Sequence, residues 1–211
     1  SINPEVNNGQ DVEWLLSDDR KTLTVSGNGE MAAGSWDAYV GNGLTVYLPA
    51  TVTTIKAGAF AGIINKLQHV YSPVPAGQTL YANNQQVPDV DGLGDVKDFG
   101  VTQNQEVQLA WFTGYNVNIG AIAGVSCGLK VYADDALTTE IPSGYKAICK
   151  NDETKVYVKA LSGATSILFK NGLTVKAGSS TLIVTQESDD VFSFLMPKSA
   201  VTISAQFATG G

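Results

Sequence analysis

Short segments in which apolar and polar residues alternate follow one another along almost the whole chain. In VEWLLSDDRKTLTVSG, residues 12–27, Trp14 and Leu16 precede a polar turn, and Leu23 and Val25 repeat the period after it. Alternation with a period of two is typical of a strand with one buried face, so this stretch predicts a β-hairpin. No long segment has apolar residues at helical spacing, and 22 glycines accompany the Asn-Gly, Ser-Gly and Pro turn signals. The sequence therefore predicts an all-β protein.

The stretch LTVYLPATVTTIKAGAFAG, residues 44–62, predicts a strand followed by a compact corner. Pro49 ends the strand, because proline cannot donate a hydrogen bond within a central ladder. Phe60 supplies a large apolar side chain at the corner, and NKLQHVY then begins another strand. The apolar positions of these segments are Leu44, Val46, Leu48, Val52, Ile55, Phe60, Leu67 and Val70.

Composition changes between residues 82 and 106, where Asn, Gln, Asp, Gly and Pro prevail. Few residues there can anchor a core, which predicts an acidic and polar linker or long surface loop. We therefore expect three parts: residues 1–85, a linker at 86–106, and a β-sandwich-like domain at 107–211. Half-apolar strands in the last part, such as VFSFLM and AVTISAQF, need a second layer to cover them. In the segment SILFKNGLTVKAG, Asn171-Gly172 is typical of a two-residue hairpin turn.

Charge excludes some partners. The chain carries 13 Lys and Arg against 20 Asp and Glu, a formal net charge of −7, and Arg20 is the only arginine. Nucleic acid binding needs clustered basic side chains, so we expect no nucleic acid partner. No apolar run reaches the roughly 18 residues of a membrane span. Because the chain begins at Ser1 rather than Met, we expect an exported form whose leader has been removed.

The stretch DVDGLGDVKD contains a candidate calcium loop. Asp89, Asp91, Asp95 and Asp98 stand at the third, fifth, ninth and twelfth positions of an EF-hand-like spacing that begins at Val87. Calcium needs several oxygen atoms that converge on a tight loop. The alternative is an acidic stretch that is simply solvated. The sequence points to no other cofactor.

The sequence contains few of the residues that common catalytic sites need. His69 is the only histidine and lies within an apolar strand pattern, where a packed or solvent-facing residue is the usual outcome. One histidine and two cysteines are also too few for the four His and Cys ligands of a typical structural zinc site. The acidic residues offer many carboxylate pairs, but nothing selects one pair for glycoside hydrolysis. We therefore expect a protein that is not an enzyme.

Cys127 and Cys149 are the only two cysteines, and they flank strand-like segments. They could meet across a hairpin or a sandwich and form a disulfide in an oxidising compartment. The alternative is two buried thiols.

Aromatic side chains are the best candidates for binding. Trp111 and Tyr115 belong to the cluster WFTGY that follows the expected linker, and Tyr47 lies on the strand before the corner. Exposed Tyr and Trp stack on sugars or anchor protein partners. The alternative is that WFTGY seals a domain junction.

Residues 12–71 resemble the BspA-type leucine-rich repeat proteins. That family has a hairpin cap that begins with Trp and ends in a Ser-Gly-x-Gly-x-Met element, followed by repeats with an Ala-Phe corner and a Leu-x-x-Val strand. The matching residues are Trp14, Leu23, Ser26, Gly27, Gly29, Met31, Trp36, Val46, Val52, Ile55, Ala59, Phe60, Leu67 and Val70. The family stacks several repeats, whereas this sequence has one good repeat and the beginning of another. The resemblance implies a short leucine-rich-repeat segment with its cap. A single repeat of this kind rarely buries its apolar face alone, so we expect the repeat segment to dock on the second domain.

The closing strands are similar to the internalin B-type repeat domains of bacterial surface proteins. The similarity rests on Phe192, Phe194, Met196, Pro197, Val201, Thr202, Ile203 and Phe207. The two resemblances together imply an exported bacterial protein of the cell surface or extracellular space, with a role in adhesion through a protein or glycan ligand. A carbohydrate-binding accessory module and a structural spacer are the alternatives.

Overall fold

The computed structural model describes residues 12–32, 39–124, 126–150, 153–163 and 166–209. Trp36, one of the positions in the first resemblance, lies outside these ranges. The described residues form an all-β protein, which confirms the predicted fold class. The chain divides into two compact units, Ser1–Phe112 and Thr113–Gly211.

Two sheets form the first unit. Its strands are β1 (Val12–Leu16), β2 (Thr22–Gly27), β3 (Gly29–Met31), β4 (Leu44–Tyr47), β5 (Val52–Ile55), β6 (Leu67–Pro73), β7 (Thr79–Ala82), β8 (Gln85–Gln86), β9 (Asp89–Val90), β10 (Leu93–Asp95) and β11 (Val107–Phe112). A six-stranded sheet has the order β1-β2-β4-β6-β10-β9, and a five-stranded sheet has the order β3-β5-β11-β7-β8. A short 3-10 helix at Ile64–Lys66 precedes β6, and a helical turn at Lys97–Val101 follows β10.

The predicted hairpin and strand patterns of the first unit are confirmed. β1 and β2 pair antiparallel, and their alternating residues Trp14, Leu16, Leu23 and Val25 are buried. The chain then passes repeatedly from one sheet to the other: β2, β4 and β6 are parallel in the first sheet, and β3 and β5 are parallel in the second. The predicted corner packs Phe60 into the shared core.

Equivalent residues of the parallel strands lie side by side in the first sheet. Leu23 pairs with Val46, and Val46 pairs with Val70, so one aliphatic row crosses three strands on the buried face. The residues between them point outward, because side chains alternate along a strand. Equivalent outward residues therefore also lie side by side across the sheet.

The expected linker at residues 86–106 is wrong, because this stretch completes the first unit. β10 pairs antiparallel with β6 and extends the first sheet. Val87, Val96 and Val101 are buried in the same core as β1–β7. A few valines anchor the segment, and glycine at position 94 lets its backbone approach the core closely. The unit boundary follows Phe112, so β11 belongs to the first unit and the second does not begin at residue 107.

The second unit has two sheets with one apolar core between their inward faces, the arrangement expected of a β-sandwich-like domain. Its strands are β12 (Gly114–Ala123), β13 (Gly128–Tyr132), β14 (Lys146–Ile148), β15 (Lys155–Leu161), β16 (Ser166–Ala177), β17 (Ser180–Thr181), β18 (Thr185–Gln186), β19 (Val191–Leu195) and β20 (Val201–Thr209). The orders are β14-β12-β20-β16-β17 and β13-β15-β19-β18. The last two strands lie in different sheets, and both contribute to the core.

The hairpin predicted at Asn171-Gly172 is wrong. Both halves of β16 pair with the same neighbour, β20, so the chain does not reverse there. Leu168 lies opposite Phe207 and Leu173 lies opposite Ala205, which leaves a wide bulge in β16 between the two paired segments. Asn171 has a φ of 60°, so the left-handed conformation that favours an Asn-Gly turn shapes a bulge here instead.

Candidate functional site

The outward side of the six-stranded sheet carries a continuous row of side chains. Leu15 pairs with Thr24, Thr24 with Tyr47, Tyr47 with Tyr71, and Tyr71 with Asp95, so the row crosses β1, β2, β4, β6 and β10. His69 lies two residues before Tyr71 and therefore faces the same side. We call the surface formed by Leu15, Thr24, Tyr47, His69, Tyr71 and Asp95 the tyrosine face.

The aromatic rings of the tyrosine face pack against one another. The ring centroids of His69 and Tyr71 are 5.0 Å apart with planes inclined by 19°, a stacked pair. The centroids of Tyr47 and Tyr71 are 5.6 Å apart with planes inclined by 33°. Because neighbouring rings turn their faces toward each other, the row presents ring edges and hydroxyl groups to solvent more than open ring faces.

Asp95 holds one end of this row in place. Its carboxylate accepts hydrogen bonds from the backbone amides of Val70, at 3.0 Å, and Lys97, at 3.1 Å. The other carboxylate oxygen lies 2.8 Å from Nδ1 of His69. The contacts with Val70 and His69 connect β10 to β6, and the contact with His69 orients the imidazole ring that stacks on Tyr71.

The tyrosine face keeps apolar area exposed. Leu15 is 49% exposed and Tyr47 is 38% exposed, although both lie on strands whose other side is buried. A cluster of exposed aromatic and aliphatic groups with a polar end is typical of a protein-interaction surface. The tyrosine face is therefore a sheet surface that combines exposed apolar groups with a polar end.

Of the predicted binding residues, only Tyr47 belongs to this face. Trp111 is partly buried against the core of the first unit, and its indole Nε1 donates a 2.7 Å hydrogen bond to the carbonyl oxygen of Pro73. Tyr115 packs against the core of the second unit. The WFTGY cluster is therefore divided between two cores, and the prediction that Trp111 and Tyr115 form a binding surface is not supported.

The four aspartates of the expected calcium loop are used separately. Oδ1 of Asp89 accepts a hydrogen bond from the amide of Gly92 at 2.8 Å, and Asp91 with Gly92 forms the tight turn between β9 and β10. Asp95 faces His69, and Asp98 is exposed in the helical turn at Lys97–Val101. Across the described ranges, no three side chains of His, Cys, Asp or Glu are grouped so that they could hold a metal ion. The EF-hand-like spacing is therefore accounted for by a hairpin.

Cys127 and Cys149 do not form a disulfide. Both are free thiols in the structure. Both are half-buried rather than fully buried. Sγ of Cys149 lies 3.1 Å from the carbonyl oxygen of Met196, to which the thiol donates.

The sequence patterns did not predict that Tyr71, His69 and Asp95 belong to one surface. One signal was present: Val46-Tyr47-Leu48-Pro49 and Val70-Tyr71-Ser72-Pro73 repeat the pattern Val-Tyr-x-Pro. In a stack of parallel strands, such a repeat places both tyrosines on one face. The role of Asp95 depends on the pairing of β10 with β6, which local patterns do not reveal.

No family model, curated protein or solved structure matches this chain. Within the part of the chain that the structure describes, no helix has the length and apolar character needed to cross a membrane.

Proposed function

We propose that this chain is a non-enzymatic binding protein and that a protein partner docks on the tyrosine face. The observation that carries the proposal is the register that aligns Leu15, Thr24, Tyr47, Tyr71 and Asp95 in one outward row. Tyrosine is enriched among the residues that dominate binding energy at protein interfaces, because it combines a large apolar ring with a hydroxyl.

Ring orientation favours a protein partner over a sugar. Stacking on a sugar needs open ring faces on a shallow platform, whereas Tyr71 lies between His69 and Tyr47 with its ring turned toward both. A protein partner can use the ring edges, the hydroxyl groups and the exposed aliphatic Leu15 together. The carbohydrate-binding alternative is therefore the weaker of the two.

The chemistry around His69 favours binding over catalysis. His69 contacts the Asp95 carboxylate and the Tyr71 ring. Among the described residues, no hydroxyl or thiol nucleophile is hydrogen-bonded to this imidazole, as a Ser-His or Cys-His pair requires. We assign to His69 and Asp95 the role of holding the aromatic row in one conformation, which lowers the entropic cost of binding.

Cell-surface adhesion is the biological role that we propose for this binding. The resemblance of residues 12–71 to BspA-type leucine-rich repeat proteins supports it, and the stacked parallel strands β2, β4 and β6 agree with a repeat architecture. The similarity of the closing strands to internalin B-type repeats supports an exported bacterial surface protein. The expected partner is then a protein of the host surface or extracellular matrix.

The test uses purified extracellular matrix proteins and a glycan array, with binding measured by surface plasmon resonance. We expect the chain to bind a matrix protein and the double variant Tyr47→Thr/Tyr71→Thr to bind at least about thirtyfold more weakly, from a loss of about 2 kcal/mol or more. Threonine suits strands, so the fold should persist. Tyr145→Thr is the matched control, because Tyr145 is 37% exposed against 38% for Tyr47 but lies in the second unit.

Two results would contradict the proposal. Binding to glycans that survives in the double variant would favour a carbohydrate-binding module that uses another surface. Silence with both the matrix proteins and the glycan array would favour a structural spacer.

A further inference from the structure

A cleft lies in the second unit, where the chain passes from the edge of one sheet to the edge of the other. It involves β16, β17, β18 and β19 and the segment that joins β17 to β18. Its volume is about 600 Å³, within the roughly 300 to 1,000 Å³ of small-molecule sites. This cleft is a separate feature from the tyrosine face and does not depend on the function proposed for that face.

The bulge in β16 forms one wall of the cleft. The segment from Leu168 to Leu173 spans the same length of ladder as Phe207 to Ala205 of β20, so several residues of β16 leave the regular pairing. Bulges are frequent beside functional sites, because they redirect side chains without ending the strand. Here Asn171 and Gly172, at the bulge, line the cleft.

The lining combines apolar and polar side chains in about equal parts. The apolar residues are Leu168, Leu173, Leu182, Val184 and Phe192. The polar residues are Asn171, Thr174, Thr181, Gln186 and Asp189, and all but Thr174 are exposed, as expected for the rim. Ligand sites hold the body of a ligand on apolar side chains and orient it with polar groups, and both kinds of side chain are present here.

Asp189 gives the cleft its charge preference. None of the described side chains that line the cleft is basic, and Asp189 forms neither an ion pair nor a side-chain hydrogen bond with any residue that the structure describes. The nearby Glu187 differs, because it bonds Ser193 at 2.6 Å and pairs with Lys155 at 3.4 Å. One carboxylate beside an apolar interior suits a ligand with an apolar body and a positive charge.

We propose that this cleft binds a small amphiphilic molecule that has an aliphatic or aromatic body and one cationic group. The body occupies the interior against Leu182, Val184 and Phe192. The cationic group lies at the rim beside Asp189. An anionic molecule of the same shape is disfavoured, because the net charge of the chain is −7 and the rim carries a carboxylate.

The experiment compares three probes with the same aliphatic chain: octylammonium, octanol and octanoate. Each is titrated into the full chain labelled with ¹⁵N, and amide resonances are followed by NMR. We expect octylammonium to bind most tightly and octanoate least tightly, with shifts at Gly172, Thr181 and Val184. Failure of all three probes to shift these amides, or octanoate binding as tightly as octylammonium, would overturn the proposal.

Two pairs of variants test the two halves of the site. Asp189→Asn should weaken octylammonium binding about two- to fivefold and leave octanol binding unchanged, as expected for an exposed charge pair. Asp135→Asn, which removes an exposed carboxylate outside the cleft, should have no effect. Equal effects of the two changes would mean that long-range charge alone attracts the probe, which contradicts a role for Asp189.

The second pair addresses the interior. Val184→Thr keeps the side-chain shape but replaces a methyl group with a hydroxyl, so it should weaken all three probes. Ile183→Thr is the matched control, because Ile183 is in the same segment but is 87% exposed and does not line the cleft. Unchanged binding in Val184→Thr would show that the probes bind elsewhere and would contradict the assignment.

Discussion

Replacing Gly94 with alanine tests whether residues 86–106 belong to the core of the first unit. Gly94 pairs with Ser72 in the six-stranded sheet. An added Cβ atom would lie 2.8 Å from Cδ2 of Leu80, 3.0 Å from Cγ1 of Val87 and 3.5 Å from Cγ2 of Val74. The first distance is shorter than carbon atoms tolerate and the second is tighter than an ordinary van der Waals contact, so the surrounding side chains must move.

The magnitude follows from how little these neighbours can move. Leu80 is fully buried and Val87 is nearly so. Forcing one extra methyl group into a packed core costs about 1 to 3 kcal/mol, and the reduced freedom of the unfolded chain returns about 0.4 to 1 kcal/mol. We therefore expect the free energy of unfolding of the first unit to fall by about 1 to 2 kcal/mol, with a melting temperature lower by roughly 5 to 10 °C.

Tryptophan fluorescence during urea unfolding measures this effect selectively, because all three tryptophans occur before residue 113. Gly128→Ala is the control, since an added Cβ there would meet its nearest atom at an ordinary 3.8 Å. It should leave the fluorescence transition unchanged. A Gly94→Ala protein as stable as the unaltered chain would refute the packing of β10 and restore the interpretation of this stretch as a linker.

Three further predictions follow from buried or hydrogen-bonded polar groups. The hydroxyl of Ser72 is buried without a hydrogen-bond partner among the described residues. Ser72→Ala should therefore raise the free energy of unfolding, measured by urea titration, by up to about 1 kcal/mol. A lower free energy of unfolding would contradict this prediction. Burial raises the pKa of Tyr81 to about 12, so Tyr81→Phe should remove the tyrosine ionisation with that midpoint from an ultraviolet titration, and an unchanged titration there would refute the assignment. Burial works to raise the pKa of Asp134, but hydrogen bonds from the Thr138 side chain and from the backbone of Thr138 and Thr139 outweigh it and hold the pKa below its usual value. That stabilisation is present above the pKa of the unfolded chain, near 3.9, and is lost as pH falls through the lower pKa of the folded protein. Asp134→Ala should therefore destabilise the second unit at pH 7 by roughly 0.5 to 1 kcal/mol and by less at pH 2, as measured by circular dichroism melting. An equal difference at both pH values would contradict the mechanism.

Local alternation was sufficient to predict β1, β2, β4 and the beginning of β6, whereas β3 and β5 were not predicted as strands. It located the buried residues Trp14, Leu23, Val46 and Val70, because each strand has one face in the core. It could also have predicted the packing of Trp111, which follows Val107 and Leu109 at a period of two in β11.

The remaining features depend on pairings between distant segments. β10 has three residues, and its contribution to the core comes from a glycine and flanking valines, so its composition is typical of a loop. Asn171-Gly172 has the backbone preference of a tight turn, but both flanking segments pair with β20, and the same preference produces a bulge. Asp95 is one of several aspartates in a polar stretch, and only the pairing of β10 with β6 places it beside His69.

Hydroxyl-radical footprinting of the chain tests the proposed docking surface most directly. The chain is oxidised alone and in complex with a saturating amount of the matrix protein that binds it most tightly by surface plasmon resonance. Oxidation of each aromatic side chain is then measured by mass spectrometry. Docking on the tyrosine face predicts lower oxidation of Tyr47, His69 and Tyr71 in the complex and unchanged oxidation of Tyr145. Unchanged oxidation of Tyr47 and Tyr71 at saturation would contradict the assignment of this face as the binding surface.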